Sequence, residues 1–212
     1  MSILQEISEA LQKGKAKDVK ELVTKAIEEG QKAEDILKEG LLSGMDIIGD
    51  KFKNNEVYVP EVLIAARAMN QGAEILKPVL AESGVKPLGK VVLGTVKGDL
   101  HDIGKNLVRM MMEGKGLEVI DLGVDVSAEK FYEAFVNENA QIVACSALLT
   151  TTMNEMKNVV DYFKEKGIRE KAILMVGGAP ITEAFCKSIG ADHYAADAAT
   201  AADVAKQALL GA

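Results

Sequence analysis

The sequence predicts an α/β protein in two parts: an N-terminal four-helix bundle, then a flavodoxin-like (Rossmann-like) domain built on a five-stranded parallel sheet. Three observations predict it. From Ser2 to about Gly84 the apolar residues recur only at helical spacing. From Lys90 onward, short apolar runs alternate with helical patterns. Between the two, Glu82-Ser83-Gly84-Val85-Lys86-Pro87-Leu88-Gly89 has the glycine and proline content of a linker. The expected division is therefore a helical cap over 1–84, a linker over 85–89 and an α/β domain over 90–212.

Leu4, Ile7 and Leu11 mark the first helix. Val19, Leu22, Val23, Ala26 and Ile27 mark a second, which stops at Gly30, a residue suited to a helix C-terminus. Leu37, Leu41, Met45, Ile48 and Phe52 step by four or three through a longer third helix. Pro60 opens the fourth, where Val62, Ala65, Ala66, Met69, Ala73, Leu76 and Leu80 share a face and Pro78 is expected to distort the last turn. Amphipathic helices with short connections bury those faces against one another as a bundle.

Past the linker, strands are predicted at Lys90 to Val96, Leu117 to Leu122, Gln141 to Cys145, Ala172 to Val176 and, with a weaker pattern, His193 to Ala195. Helices are predicted near 103–113, 127–137, 152–166, 182–188 and 200–210, the third of them opening on Thr152 and Glu155 at capping-box spacing. In the flavodoxin-like strand order 2-1-3-4-5 the winding reverses between the first and third strands. The ligand crevice of such a sheet opens there, at the carboxyl ends.

The loop that follows the first strand reads Gly98-Asp99-Leu100-His101-Asp102-Ile103-Gly104. An imidazole can offer one ring nitrogen to a metal while the other donates a hydrogen bond, and a carboxylate two residues away can take that bond and raise the ligand's basicity. Gly104, without a side chain, would let a large flat ligand approach the backbone. By spacing alone, the same residues equally describe an ordinary polar turn with a solvated histidine. The third strand ends at Ser146-Ala147-Leu148 and the fourth at Gly177-Gly178-Ala179-Pro180. Taken singly, Ser146 also reads as a strand-end cap and the glycine pair as a tight turn.

Composition excludes several classes. A formal charge of −7 with no Lys/Arg-rich block argues against nucleic acid as a partner. No run reaches the ~18 apolar residues of a bilayer span, and Met1 to Glu6 contains no signal core, so a cytoplasmic protein without a membrane partner is expected. Cys145 and Cys186 are too few for a disulfide framework or zinc knuckle and read as reduced, buried fillers. His193 is the other histidine; without a neighbouring His or Cys pair it reads as a solvated loop residue, with Tyr194 a peripheral contact at most.

With Asp99-x-His101-x-x-Gly104, Ser146-x-Leu148 and Gly177-Gly178 in place, the chain resembles the corrinoid proteins of cobalamin-dependent methyltransferase systems and the cobalamin-binding region of methionine synthase, over both halves. The resemblance implies a cobalamin over the carboxyl edge of the sheet, base-off, with His101 on cobalt, Asp99 on the other imidazole nitrogen and Ser146 continuing that relay. It implies a slot for the nucleotide tail walled by Gly94, Thr95, Ser146, Gly177 and Gly178, and further cofactor contacts at Gly104 and Leu148. The helical half, around Val59 to Met69, would cap the corrin; read without the family, those residues are core packing.

The function so implied is a methyl carrier that is not catalytic alone. It would shuttle a methyl group on cobalt between a substrate:corrinoid methyltransferase and a corrinoid:acceptor methyltransferase using tetrahydrofolate or a thiol, with a reductive activase as a further partner. A cobalamin-responsive sensor and a mutase small subunit are the alternatives. A sensor would need an output segment, and a mutase subunit would not need the helical half. Neither methyl donor nor acceptor is legible, because a separate subunit would handle each.

Overall fold

The computed structural model describes residues 2–84 and 86–211; Met1, Ala212 and Val85, the head of the expected linker, lie outside them. The chain divides into two compact units, one reaching Pro87 and including Gly114–Gly116, the other comprising Leu88–Glu113 and the residues from Leu117 on.

In the first unit, α1 (Ile3–Gln12) begins at a capping box in which the Ser2 hydroxyl accepts from the Gln5 amide and the Gln5 side chain accepts from the Ser2 amide. Then α2 (Ala16–Glu28) leads through a turn at Gly30 into a continuous helical run made of α3 (Ala33–Asp35), a π-helical segment (Ile36–Leu42) and α4 (Ser43–Lys53). This run is the expected third helix with its phase altered. The wider π turn separates the buried Ile36 and Leu41 by five residues, so Ile36, not Leu37, lies in the core. Gly40 and Gly44 lie close to α1: a Cβ on either would sit 3.1 Å from Ile7 or Leu11.

The last helix of this unit, α5 (Val59–Glu82), has Pro60 in its first turn and the Glu61 carboxylate on the Tyr58 amide. It runs on through Pro78 to Glu82. Ile7, Leu11, Val19, Val23, Ile36, Leu41, Ile48, Val62, Ala65 and Leu76 form the core of the bundle. Of the stretch that the resemblance assigns to corrin contacts, Val62, Ala65, Ala66 and Met69 are buried, whereas Leu63 and Ile64 are exposed.

The second unit is a five-stranded parallel sheet in the order β2-β1-β3-β4-β5, with β1 Lys90–Thr95, β2 Glu118–Asp121, β3 Ile142–Ser146, β4 Ile173–Gly177 and β5 His193–Ala195. Its helices are α6 (Ile103–Gly114), α7 (Ala128–Asn137), α8 (Asn154–Glu165), α9 (Glu183–Ile189) and α10 (Ala198–Leu210). Ser127, Thr182 and Asp197 cap α7, α9 and α10 through their side chains.

Parallel pairing in register places Thr95, Ser146 and Gly177 side by side at the carboxyl edge, with Gly94, Cys145 and Val176 one step back and facing the other way. On the second face Val92, Val143, Cys145, Leu174 and Val176 pack with Phe131, Phe135, Met156, Val159 and Phe163 of α7 and α8. His193 is not in a loop: it is the first residue of β5, half-buried opposite Met175, and Tyr194 packs against this same core. Among the described residues, no helix is long and apolar enough to cross a membrane.

Candidate functional site

After β1 the chain makes a tight turn, Val96 to Asp99, closed by the Asp99 amide on the Val96 carbonyl at 3.1 Å. Gly98 supplies the positive φ of +79° that its third position requires. The turn directs the Asp99 carboxyl inward, where it is fully buried, and leaves the His101 side chain half-exposed. Asp99 Oδ1 lies 2.7 Å from His101 Nδ1 and also accepts from the His101 amide at 3.1 Å. Asp99 Oδ2 accepts from the Leu148 amide at 2.8 Å, the Leu149 amide at 3.2 Å and the Thr152 hydroxyl at 2.8 Å.

Burial by itself would raise the carboxyl's pKa. The donors from Leu148, from the His101 ring, from Thr152 and from the His101 amide outweigh it and hold Asp99 well below the usual carboxylate range. An ionised carboxylate only accepts, so Nδ1 carries the proton and donates. Nε2 has no hydrogen-bond partner among the described residues.

Thr152, not Ser146, is the residue that continues the relay from Asp99. The physical reason is the strand's alternation and the turn that follows it: Ser146 ends β3 beside Thr95, while 147–152 fold back over Asp99. The capping box expected at Thr152 and Glu155 does not form; the Glu155 amide donates instead to the Thr152 carbonyl at 2.9 Å. Thr152 donates to the carboxylate, and α8 starts two residues later with Met153 in the cap position and no side-chain cap. Local spacing cannot tell these two uses of one hydroxyl apart.

Gly94 is also reassigned. A Cβ there would lie 2.9 Å from Phe131 Cζ, so its missing side chain makes room for α7 on the face turned away from Thr95 and Ser146. Thr95 is fully buried, and its hydroxyl donates to the His101 carbonyl at 2.9 Å, bracing the loop from below. Gly178 has φ +128°, and a Cβ on it would fall 1.9 Å from the Ala147 carbonyl oxygen, so it lets β4's exit pass against the β3 loop. A Cβ on Gly177 would approach the Ala195 carbonyl to 3.2 Å. Nothing lies within 4 Å of where a Cβ would stand on Gly104.

Leu148 is exposed, and so are three residues not singled out from the sequence: Leu100, Ile103 and Leu149. Leu100 at 71% and Ile103 at 79% exposure are the extremes, unusual for large aliphatic residues flanking a polar turn. Their signal in the sequence was apolar residues where a solvated loop would carry polar ones. Lys105, buried to 2% exposure, was not foreseeable: its ammonium meets both Asp121 oxygens at 2.6 Å and ties the start of α6 to the end of β2.

Among the described residues no three His, Cys, Asp or Glu side chains gather in a way that could hold a metal ion. The donor set at this loop is thus a single oriented imidazole, which suits a metal that carries its other ligands with it, as cobalt does in a corrin. The exposed aliphatic residues and the open backbone at Gly104 suit the flat macrocycle.

Comparison with known proteins points to the same class of cofactor. The B12 binding domain family matches residues 89–205, and a second family of the same description matches residues 3–77. Dimethylamine corrinoid protein 2 of Methanosarcina acetivorans is 43% identical over 210 residues, covering 99% of this chain and 97% of that protein. A corrinoid protein of Desulfitobacterium hafniense is 40% identical over 212 residues, covering 99% and 98%. The crystal structure of the methanol:cobalamin methyltransferase complex of Methanosarcina barkeri matches with TM-score 0.88 and 33% identity, over 99% of this chain and 80% of that one. With both halves matched by B12-binding families and relatives aligned end to end, the chain belongs to the cobalamin-binding corrinoid proteins of methyltransferase systems.

Proposed function

We propose that this chain is a methyl carrier that binds one cobalamin base-off, with His101 Nε2 on cobalt, and serves two methyltransferases in turn. The observation that carries the reading is the His101–Asp99–Thr152 relay: a buried, saturated carboxylate holds Nδ1 and leaves one unpartnered nitrogen on a half-exposed ring, on a loop that also carries the exposed Leu100 and Ile103. When bound, cobalt supplies the methyl-accepting and methyl-releasing chemistry. Asp99 holds the Nδ1 proton, Thr152 and the amides of Leu148 and Leu149 hold Asp99, and Leu100, Ile103, Leu148 and Leu149 would shield the bound group from water.

The row Thr95, Ser146 and Gly177 is proposed as the wall of the nucleotide slot, supported by their pairing on one face at the carboxyl edge. The names of the relatives support a carrier over a sensor or a mutase subunit. They also suggest where a donor screen starts: methyltransferases acting on dimethylamine and methanol. The acceptor side is proposed as a tetrahydrofolate- or thiol-using methyltransferase, with a reductive activase, in the cytoplasm.

The test is electron paramagnetic resonance of the cobalt(II) form. Nitrogen superhyperfine coupling is expected from the wild type and not from His101→Ala. Coupling to a protein nitrogen that survives in His101→Ala would overturn the ligand assignment.

A further inference from the structure

The loop carrying His101 is gripped from the side by a residue that neither the sequence motif nor the relay includes. Beyond β2, residues 122–126 run alongside the end of β1. The Leu122 amide donates to the Leu93 carbonyl at 2.8 Å, Thr95 to Gly123 at 2.9 Å and Val126 to Thr95 at 3.0 Å, and Val96 and Val126 form a parallel bridge. Between Gly123 and Val126 the backbone leaves this ladder. Asp125 takes φ +55°, a left-handed conformation that a non-glycine residue adopts at a cost and that Asp and Asn tolerate better than most.

That conformation does one visible thing. It aims the Asp125 amide at the Asp99 carbonyl, 3.0 Å away, while the Asp125 carboxylate accepts from the Gly98 amide at 2.7 Å. The two bonds clamp the Gly98–Asp99 dipeptide at both ends. Asp99 Oδ1 must reach Nδ1 of a histidine only two residues on, so the rotation of the peptide planes on either side of Asp99 decides whether that 2.7 Å contact can form.

We propose that Asp125 is a positioning residue for the cobalt ligand: by clamping Gly98 and Asp99 it holds the turn in the one conformation that presents His101. The inference rests on the reading of His101 as that ligand. Asp125 is itself exposed, so its carboxylate is not retained to fill the core.

Three substitutions separate the two halves of the clamp. Asp125→Asn keeps an acceptor oxygen and the tolerance for positive φ. Asp125→Gly keeps the backbone conformation without strain but loses the bond to Gly98. Asp125→Val loses that bond and resists the left-handed conformation. In the cobalt(II) spectrum, Asp125→Asn is expected to match the wild type, and Asp125→Gly to show a mixture of nitrogen-coupled and uncoupled species. Asp125→Val is expected to be mostly uncoupled and to bind cobalamin about tenfold more weakly, the low end for groups that orient a metal ligand.

In the cofactor-free protein, amide exchange across 97–101 should quicken in the glycine and valine variants and not in the asparagine one. Because Asp125→Gly relieves backbone strain, it stays measurable if Asp125→Val does not fold. Wild-type coupling that persists undiminished in Asp125→Gly, with unchanged exchange across the turn, overturns the clamp. Coupling absent from the wild type itself overturns the cobalt reading on which the clamp depends, and the His101→Ala control distinguishes the two failures.

Discussion

An imidazole is a ligand only from the nitrogen that lacks the proton, so the ligation proposed for His101 depends on what holds the other one. Here that is Asp99, and Asp99 in turn depends on Thr152. Thr152→Val removes one of the donors to a buried carboxylate and is expected to lower stability by roughly 1–3 kcal/mol, the range for stranding a buried hydrogen-bonding group. Thr152→Ser should restore it; urea unfolding of the two variants checks both. A valine variant as stable as the serine one would remove the bond from the account.

The same carboxylate predicts a pH dependence. Its native pKa is depressed below the ordinary 3.8, so the folded state favours the ionised form, and the resulting stability is complete above about pH 4 and is lost as the pH falls through the native value. The stability difference between wild type and Asp99→Asn should therefore shrink as the pH falls below about 4. A difference that grew on acidification would contradict it.

Glycines and one lysine set how the secondary-structure elements meet around the loop, and they make separable predictions. Gly94→Ala drives a methyl into Phe131 and is expected to cost about 1–3 kcal/mol, as overpacking does, while the folded fraction binds cobalamin as before. Gly104→Ala meets nothing within 4 Å and sits in the first turn of α6, so stability should hold or rise slightly while cobalamin affinity falls. Unaltered affinity would remove Gly104 from the proposed cofactor contacts. Gly178→Ala combines a 1.9 Å clash with a left-handed φ and should fold poorly or not at all. Lys105→Met leaves Asp121 with Arg109 at 3.3 Å and the Gly123 amide at 2.9 Å, so the expected loss is near the lower end of the ~3–5 kcal/mol seen for broken buried pairs. Chemical denaturation measures it.

The molecule as a whole offers one oriented imidazole on a flavodoxin-like sheet and a separate helical unit. Carrier function predicts that the purified, reduced, cobalamin-loaded chain turns over methyl donors only when a partner methyltransferase is added. Rapid multiple turnover by the chain alone would require a catalytic site beyond the relay. The shielding role that the resemblance implies for the helices is tested by a chain starting near Leu88. It should fold, bind cobalamin and lose the methyl group faster to light and water than the full chain. Equal protection would assign the helices another role.

The sequence by itself determined the class of fold, the candidate loop and the family, because these follow from periodicity and from short motifs on consecutive residues, whereas the strand order, assumed with the flavodoxin-like class, is decided by which strands pair in the sheet. The α/β alternation, the linker composition and Asp99-x-His101-x-x-Gly104 are all of that kind. What only the tertiary structure decided is what depends on phase and on convergence. The π turn shifts the core from Leu37 to Ile36 without disturbing the apolar count. Strand alternation turns Gly94 toward Phe131 and away from Ser146. Thr152 serves Asp99 across 53 residues of sequence, although its local spacing spelled a helix cap. A hydroxyl, a missing Cβ or a buried ammonium looks the same in the sequence whichever neighbour claims it, and only packing brings that neighbour within hydrogen-bonding or van der Waals distance.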